Sequence, residues 1–157
     1  MAAVQKTKKV LTLCIVHKHP RVLLGMKKRA FGQGRWNGFG GKVEEGETIE
    51  EATKRECLEE AGIRVKEIFP LGVINFEFQD NPEILEVHIS KAKEFEGEPQ
   101  ESDEMKPQWF DTLEIPFKSM WPDDCYWLPL FLKDKKFQGR FLFDDKHTIL
   151  DYDLRTL

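Results

Sequence analysis

Glu56, Glu59 and Glu60 stand at i, i+3 and i+4, directly after Arg55. A helix turns roughly 100° per residue, so Glu56 and Glu60 fall about 40° apart and Glu59 about 60° to the other side. Carboxylates this close repel one another unless a cation sits among them. Mg²⁺ takes about six oxygen ligands at roughly 2.0–2.1 Å and commonly shares them with substrate phosphates. Such a centre bridges a di- or triphosphate, neutralises its oxygens and acidifies an attacking water. Gly40 and Gly41 precede the cluster and can bring a backbone carbonyl close to it, because glycine has no Cβ. A solvated face is the alternative for a glutamate-rich helix; the flanking Gly41 and Gly62 favour the cation site.

The local chemistry predicts the elements that position this cluster. Thr48 and Glu51 form a capping box, which predicts a helix over 49–61 ended by Gly62. Arg55 is four residues from both Glu51 and Glu59 and can brace either. Ile49 and Ala52 share the side of Glu56 and Glu60, while Leu58 and Ala61 lie nearly opposite. That predicts a helix packed on more than one face. Residues 10–16 and 22–26 read as an N-terminal hairpin turning at His17-Lys18-His19-Pro20. Strands are expected over 64–69, 72–79 and 85–91, with Asp80-Asn81-Pro82 turning between the last two. Residues 30–41 are a glycine-rich loop with aromatic anchors, and 94–107 an acidic loop. Trp109-Phe110 begins a short extended segment. Pro122, with Asp123 and Asp124 behind it, starts a second helix running to Leu132. Residues 137–143 and 148–154 close the chain as a strand pair.

The 157 residues, 40% of them hydrophobic, predict one domain over 1–157, with 1–9 a loose extension. A net charge of −4 gives no reason to expect a nucleic acid polymer or an acidic membrane as partner. Cys14, Cys57 and Cys125 are odd in number and lack metal-ligand spacing, which reads as reduced thiols in a cytosolic protein. The apolar run 10–16, interrupted by Thr12, is too short and polar for a signal peptide or a membrane span. The expected location is the cytoplasm, with a mitochondrial or nuclear fraction left open. His17, His19, His88 and His147 show no ligand spacing and receive no role.

The stretch from Gly41 to Ile63 resembles the signature of the Nudix hydrolase family, G-x5-E-x7-R-E-U-x-E-E-x-G-U with U a bulky aliphatic residue. Gly41, Glu47, Arg55, Glu56, Glu59, Glu60, Gly62 and Ile63 match, and Cys57 departs at the first U position, where it packs as a small hydrophobe. Residues 22–29, 34–42, 101–105 and 120–124 are also similar to MutT-type members of that family, which act on oxidised purine nucleoside triphosphates such as 8-oxo-dGTP and 2-hydroxy-dATP. The resemblance implies an α/β fold, the Nudix α/β/α sandwich with a mixed β-sheet between helices. It implies hydrolysis to monophosphate and pyrophosphate with Mg²⁺, for which Mn²⁺ can substitute, by a monomer. Glu56, Glu59, Glu60, the Gly40 carbonyl and Glu104 are the implied metal ligands, with Arg55 among the catalytic group and Glu56 or Glu60 the base. The implied substrate pocket comprises Thr12, Lys27, Phe31, Asn37, Phe39, Gly40, Gly41, Phe76, Phe78, Leu85, Trp121, Pro122, Asp123 and Asp124. Leu85 stands where close relatives are expected to carry methionine.

These residue types suit the task. Trp121 offers a π-face to a purine, and Asn37 carries both a donor and an acceptor for a base edge. Asp123 and Asp124 resist joint ionisation, so one can donate while the other accepts. Moving that proton between them would let one pocket accept oxidised guanine and oxidised adenine. Each has a structural alternative: Trp121 and Trp36 as core aromatics, the aspartates as helix-start acids, Glu104 and Lys27 as solvated surface groups. Three functional readings stand. They are an oxidised-purine triphosphatase, a Nudix hydrolase for another nucleotide diphosphate derivative, and a catalytically silent binding module.

Overall fold

The computed structural model describes residues 6–157. Ten strands and two α-helices follow in the order β1 (Thr7–Lys18), β2 (Arg21–Lys27), β3 (Trp36–Asn37), α1 (Ile49–Ala61), β4 (Arg64–Val65), β5 (Ile68–Phe78), β6 (Glu83–Ala92), β7 (Phe95–Glu96), β8 (Met105–Asp111), α2 (Asp124–Leu132), β9 (Phe137–Phe143) and β10 (Ile149–Thr156). An eight-stranded mixed sheet runs β10-β9-β5-β6-β1-β2-β3, with β8 also paired to β2. Within it β1 lies parallel to β6 and β5 parallel to β9. A small β4-β7 pair sits apart.

Alternation along the central strands fills a core on each face of the sheet. Ile15, Val22 and Leu24 point to one side, where they meet Trp127, Leu128 and Phe131 of α2. Cys14, Val16 and Leu23 point to the other, where they meet Cys57 and Ala61 of α1. Period-two strands with both faces apolar require a cover on each side. The result is the expected α/β/α sandwich.

Several boundaries differ from those expected. β1 begins at Thr7, and Thr7, Lys8 and Lys9 pair with Glu83, Ile84 and Leu85 of β6, so these three are not a loose extension. The rest of that predicted extension, residues 1–5, lies outside the described residues. The acidic loop contains β7 and ends in β8, where backbone pairing to β2 outweighs a polar sequence. No described helix is long and apolar enough to cross a membrane.

The capping box at Thr48 is formed: Glu51 N–H donates to Thr48 Oγ1 at 3.1 Å, and Thr48 N–H to Glu51 Oε1 at 3.0 Å. Gly62 ends the helix with φ 70°, a conformation other residues resist. α1 packs by one stripe and not by several. Ala52, Thr53, Cys57, Glu60 and Ala61 are buried, and Leu58 is 39% exposed. A carboxylate therefore occupies a core-facing position, which is the first structural sign of a site. Thr48→Ala should remove the cap at a cost of about 1 kcal/mol. Thermal unfolding should then show a midpoint about 2–4 °C lower, and an unchanged midpoint would mean that the cap adds nothing.

Candidate active site

The sheet divides beside β1. β2 pairs with β1 only over Val16–Lys18 and then turns to β3 and β8. The glycine-rich segment enters the gap. Cys14 and Phe39 exchange backbone hydrogen bonds at 2.7 and 2.9 Å, and Thr12 N–H donates to the Gly41 carbonyl at 2.9 Å. A Cβ on Gly40 would lie 1.8 Å from the Thr12 carbonyl oxygen, and one on Gly41 2.6 Å from Glu56 Oε1. The glycines thus allow two close approaches: strand to strand at Gly40, and backbone to carboxylate at Gly41. Only the second matches the reason expected from sequence.

α1 presents its carboxylates to this segment. Glu60 is 5% exposed and accepts from the Gly40 N–H at 2.8 Å. Burial pushes its pKa up to about 7, helped by the neighbouring charge of Glu56 and opposed by the Gly40 bond. Burial also raises Glu56, against the pull of Arg55. Arg55 uses all five of its donors. It grips Glu47 twice, at 2.6 and 2.9 Å, and donates to the Lys42 carbonyl at 3.0 Å, Glu56 at 2.9 Å and Glu59 at 3.3 Å. Glu51, offered as a partner by helical spacing, is taken by the cap instead. The Arg55 bonds hold the Glu47 carboxyl at about 2. Arg55 is thus a positioning residue that ties the approach loop to the carboxylate helix.

Glu104 enters from the loop before β8. Arg29 grips its Oε1 at 2.9 and 2.7 Å, and Lys27 reaches Oε2 at 3.2 Å. Among the described residues, no three His, Cys, Asp or Glu side chains converge on one metal-binding point. The donor set still fits a hard cation. Burial raises the pKa of both Glu60 and Glu56, Arg55 offsets this only at Glu56, and Glu60 forms no ion pair among the described residues. An added cation would relieve both penalties.

Beyond the glycine strip, on the α2 side of the sheet, opens a cavity of about 330 Å³. That is large enough for a small ligand. Thr12, Lys27, Phe31, Asn37, Gly40, Gly41, Phe76, Phe78, Leu85, Trp121, Asp123 and Asp124 line it, together with Glu60. Cavity and carboxylate helix therefore meet at one place. Phe39 does not line it: its ring is fully buried in the opposite core, because the alternation of the strip sends it toward α1. Pro122 is also absent from the wall; its carbonyl accepts from Cys125 Sγ at 3.3 Å. Glu56, Glu59, Arg55 and Glu104 stand outside the cavity, on the carboxylate side of the strip.

The floor carries a buried acid pair. Asp123 and Asp124 are 2% and 3% exposed. Trp127 Nε1–H donates to Asp123 Oδ2 at 2.7 Å, whereas Asp124 Oδ2 has no partner. Burial raises both carboxyls. Asp124 rises further, because the Asp123 charge and hydrogen bond add to the effect. Asp124 is therefore the more readily protonated of the two, beside Asp123, which accepts from Trp127. A buried polar atom without a partner is costly, so Asp124 is poised for a ligand. Asn37 Oδ1 accepts from the Gly38 N–H at 2.8 Å, which frees its amine for the cavity. Trp127 was not anticipated, although its i+4 spacing from Asp123 on a helix was available as a signal.

Comparison with known proteins gives the family and the fold. Residues 6–131 match the NUDIX domain model. The chain is 57% identical over 149 residues to the oxidized purine nucleoside triphosphate hydrolase of Mus musculus, covering 95% of this chain and 96% of that one. It is 55% identical over 148 residues to the protein of the same name from Danio rerio, covering 94% and 95%. Among solved structures it is similar to the mutator MutT protein of Bacillus halodurans, with a TM-score of 0.84 and 34% identity over 93% of this chain and 97% of that one.

Proposed function

This chain belongs to the NUDIX family, and on that premise we propose that it hydrolyses oxidised purine nucleoside triphosphates to the monophosphate and pyrophosphate, clearing them from the nucleotide pool. The proposed substrates are 8-oxo-dGTP and 2-hydroxy-dATP, and the enzyme acts as a cytoplasmic monomer with Mg²⁺, or Mn²⁺ in its place. The observation that carries the reading is the junction at Gly40 and Gly41. A cavity of about 330 Å³, floored by two buried aspartates whose pKa values burial raises, opens there onto the carboxylate helix.

Glu56, Glu59, Glu60, the Gly40 carbonyl and Glu104 would hold the cation. A cation held there would supply charge to neutralise phosphate oxygens and to lower the pKa of a water. The remaining work falls to side chains. Trp121 and Phe78 supply aromatic faces for the base, the Asn37 amine meets an acceptor on it, and the aspartate pair reads its edge. Arg55 holds Glu56 and Glu59 in place while Glu56 or Glu60 takes a proton from the attacking water. The water oxygen bonds to phosphorus and the bridge between the α- and β-phosphates breaks, releasing pyrophosphate.

A turnover panel of normal and damaged nucleoside triphosphates with Mg²⁺, products identified, tests this. Oxidised purines should exceed their normal counterparts in kcat/KM by about tenfold or more. Faster hydrolysis of undamaged nucleotides than of every oxidised purine would overturn the substrate assignment. Turnover of only dinucleoside polyphosphates, nucleotide sugars or caps would identify another member of the family.

A further inference from the structure

His147 lies far from Trp121 in sequence but leans on it in the fold. It sits at φ 63° in the turn between β9 and β10. Asp144 fixes that turn by accepting from the Lys146 and Thr148 N–H groups at 2.9 and 2.8 Å. The imidazole centroid is 4.5 Å from the Trp121 ring at a 34° tilt, with Phe31 and Phe78 at 5.7 and 5.9 Å. Arg35, from the loop before β3, places its guanidinium 4.1 Å from the same indole. The two join each other, Arg35 Nη1 to His147 Nδ1, at 3.1 Å. Loop and closing hairpin are thus connected across the residue that walls the base pocket.

We propose that Arg35 and His147 form a clamp that sets the position of Trp121, making them positioning residues for selection of the purine base. The proposal rests on the reading of this cavity as a purine site. The clamp fixes the imidazole's state. Arginine only donates, so Nδ1 must accept and the proton must sit on Nε2. Protonating Nδ1 abolishes the bond and sets two cations side by side. The charged groups facing His147 are Arg35 from the opposite loop and Asp144 from its own turn; Phe31, Phe78 and Trp121 complete its contacts. Burial and Arg35 lower its pKa and Asp144 opposes them, so the clamp is closed at neutral pH and opens on acidification. Because Trp121 contributes binding area but no reacting atom, opening raises KM and leaves kcat nearly constant.

Three variants test the clamp with 8-oxo-dGTP as probe. His147→Phe keeps a ring without an acceptor, and Arg35→Met keeps the chain without a charge. Each should raise KM about tenfold at pH 7.5, with kcat changed by no more than about twofold. His147→Asn offers an acceptor near the Nδ1 position that does not titrate. It should recover most of the loss and flatten the rise in KM that the unaltered protein shows between pH 7.5 and 5.5. A normal KM in His147→Phe, or an acid rise in His147→Asn equal to that of the unaltered protein, would overturn the proposal. Imidazole ¹⁵N shifts give a reading that needs no substrate. They should report Nε2–H alone in the unaltered protein and a tautomer mixture in Arg35→Met. A mixture in both would sink the clamp whatever the enzyme hydrolyses, whereas failure to turn over any oxidised purine with the Nε2–H tautomer intact would count against the substrate reading alone.

Discussion

Glu56→Gln should slow hydrolysis of the preferred oxidised nucleotide by about 10²-fold or more at saturating substrate and Mg²⁺, a loss of several kcal/mol of transition-state stabilisation. The amide keeps the shape of the side chain but removes a charge from the proposed cation site and the capacity to take a proton. Folding should survive. Burial raises the Glu56 pKa, so just above the unfolded carboxylate value of 4.5 the folded chain retains more of this proton than the unfolded chain does. Stability then falls as pH rises above the unfolded carboxylate value, and a neutral residue removes that slope. Arg55 keeps Glu47, Glu59 and the Lys42 carbonyl when Glu56 is neutral. Thermal unfolding at neutral pH should therefore show a midpoint unchanged or raised beside a collapsed kcat. A variant with full activity would identify the domain as a binding module whose glutamates serve another purpose.

The same helix shows what local chemistry can and cannot convey. Its start at Thr48, its end at Gly62 and the spacing of its carboxylates are set by residues within one turn of each other, and all were legible. Its packing face was not. Leu58 is exposed while Glu60 is buried, a reversal of ordinary preference that arises because the helix covers a gap in the sheet. Helical neighbours alone suggested Glu51 or Glu59 for Arg55. The loop before the helix delivers Glu47 to it eight residues away, in a two-bond grip no helical spacing provides. Pattern reading handles i to i+4 well and loop closure poorly.

The cavity divides in the same way. Most of its walls were named from the family resemblance, but Phe39 and Pro122 do not line it. A residue in a strip that pairs with β1 faces one side or the other, and a register of one residue decides which. Gly40 faces the cavity and Phe39 faces the core, a distinction that depends on tertiary pairing. Arg35 and His147, 112 positions apart, meet only because β9 and β10 fold back beside the glycine-rich loop. Nothing local marks His147: its left-handed turn is set by the Asp144 carboxylate, and its partner lies across the pocket mouth.

Asp124→Asn should separate the two proposed activities, changing kcat/KM for 8-oxo-dGTP and for 2-hydroxy-dATP by factors that differ about tenfold or more, which is about 1.4 kcal/mol of discrimination. Along the edge opposite the sugar, an oxidised guanine presents a carbonyl where an oxidised adenine presents its exocyclic amine. One asks for a donor and the other for an acceptor. Two adjacent carboxyls sharing a proton can supply either by moving it, and the buried Asp123–Asp124 pair holds that proton because neither side chain is solvated. An asparagine fixes one neutral donor and one neutral acceptor and has no proton to move to or from Asp123, so the two bases no longer meet the donor–acceptor pattern each requires and lose unequally. The partnerless Asp124 Oδ2 makes this the position most sensitive to what the ligand offers. Stability supplies an independent check. The folded chain keeps Asp124 protonated above the unfolded value near 3.8, so its stability falls as pH rises through that window. Asp124→Asn should flatten this slope in urea unfolding at stepped pH and leave the neutral-pH midpoint equal or higher. Equal losses on both nucleotides, with the slope flattened as expected, would mean that the pair is a buried proton with no part in choosing the base.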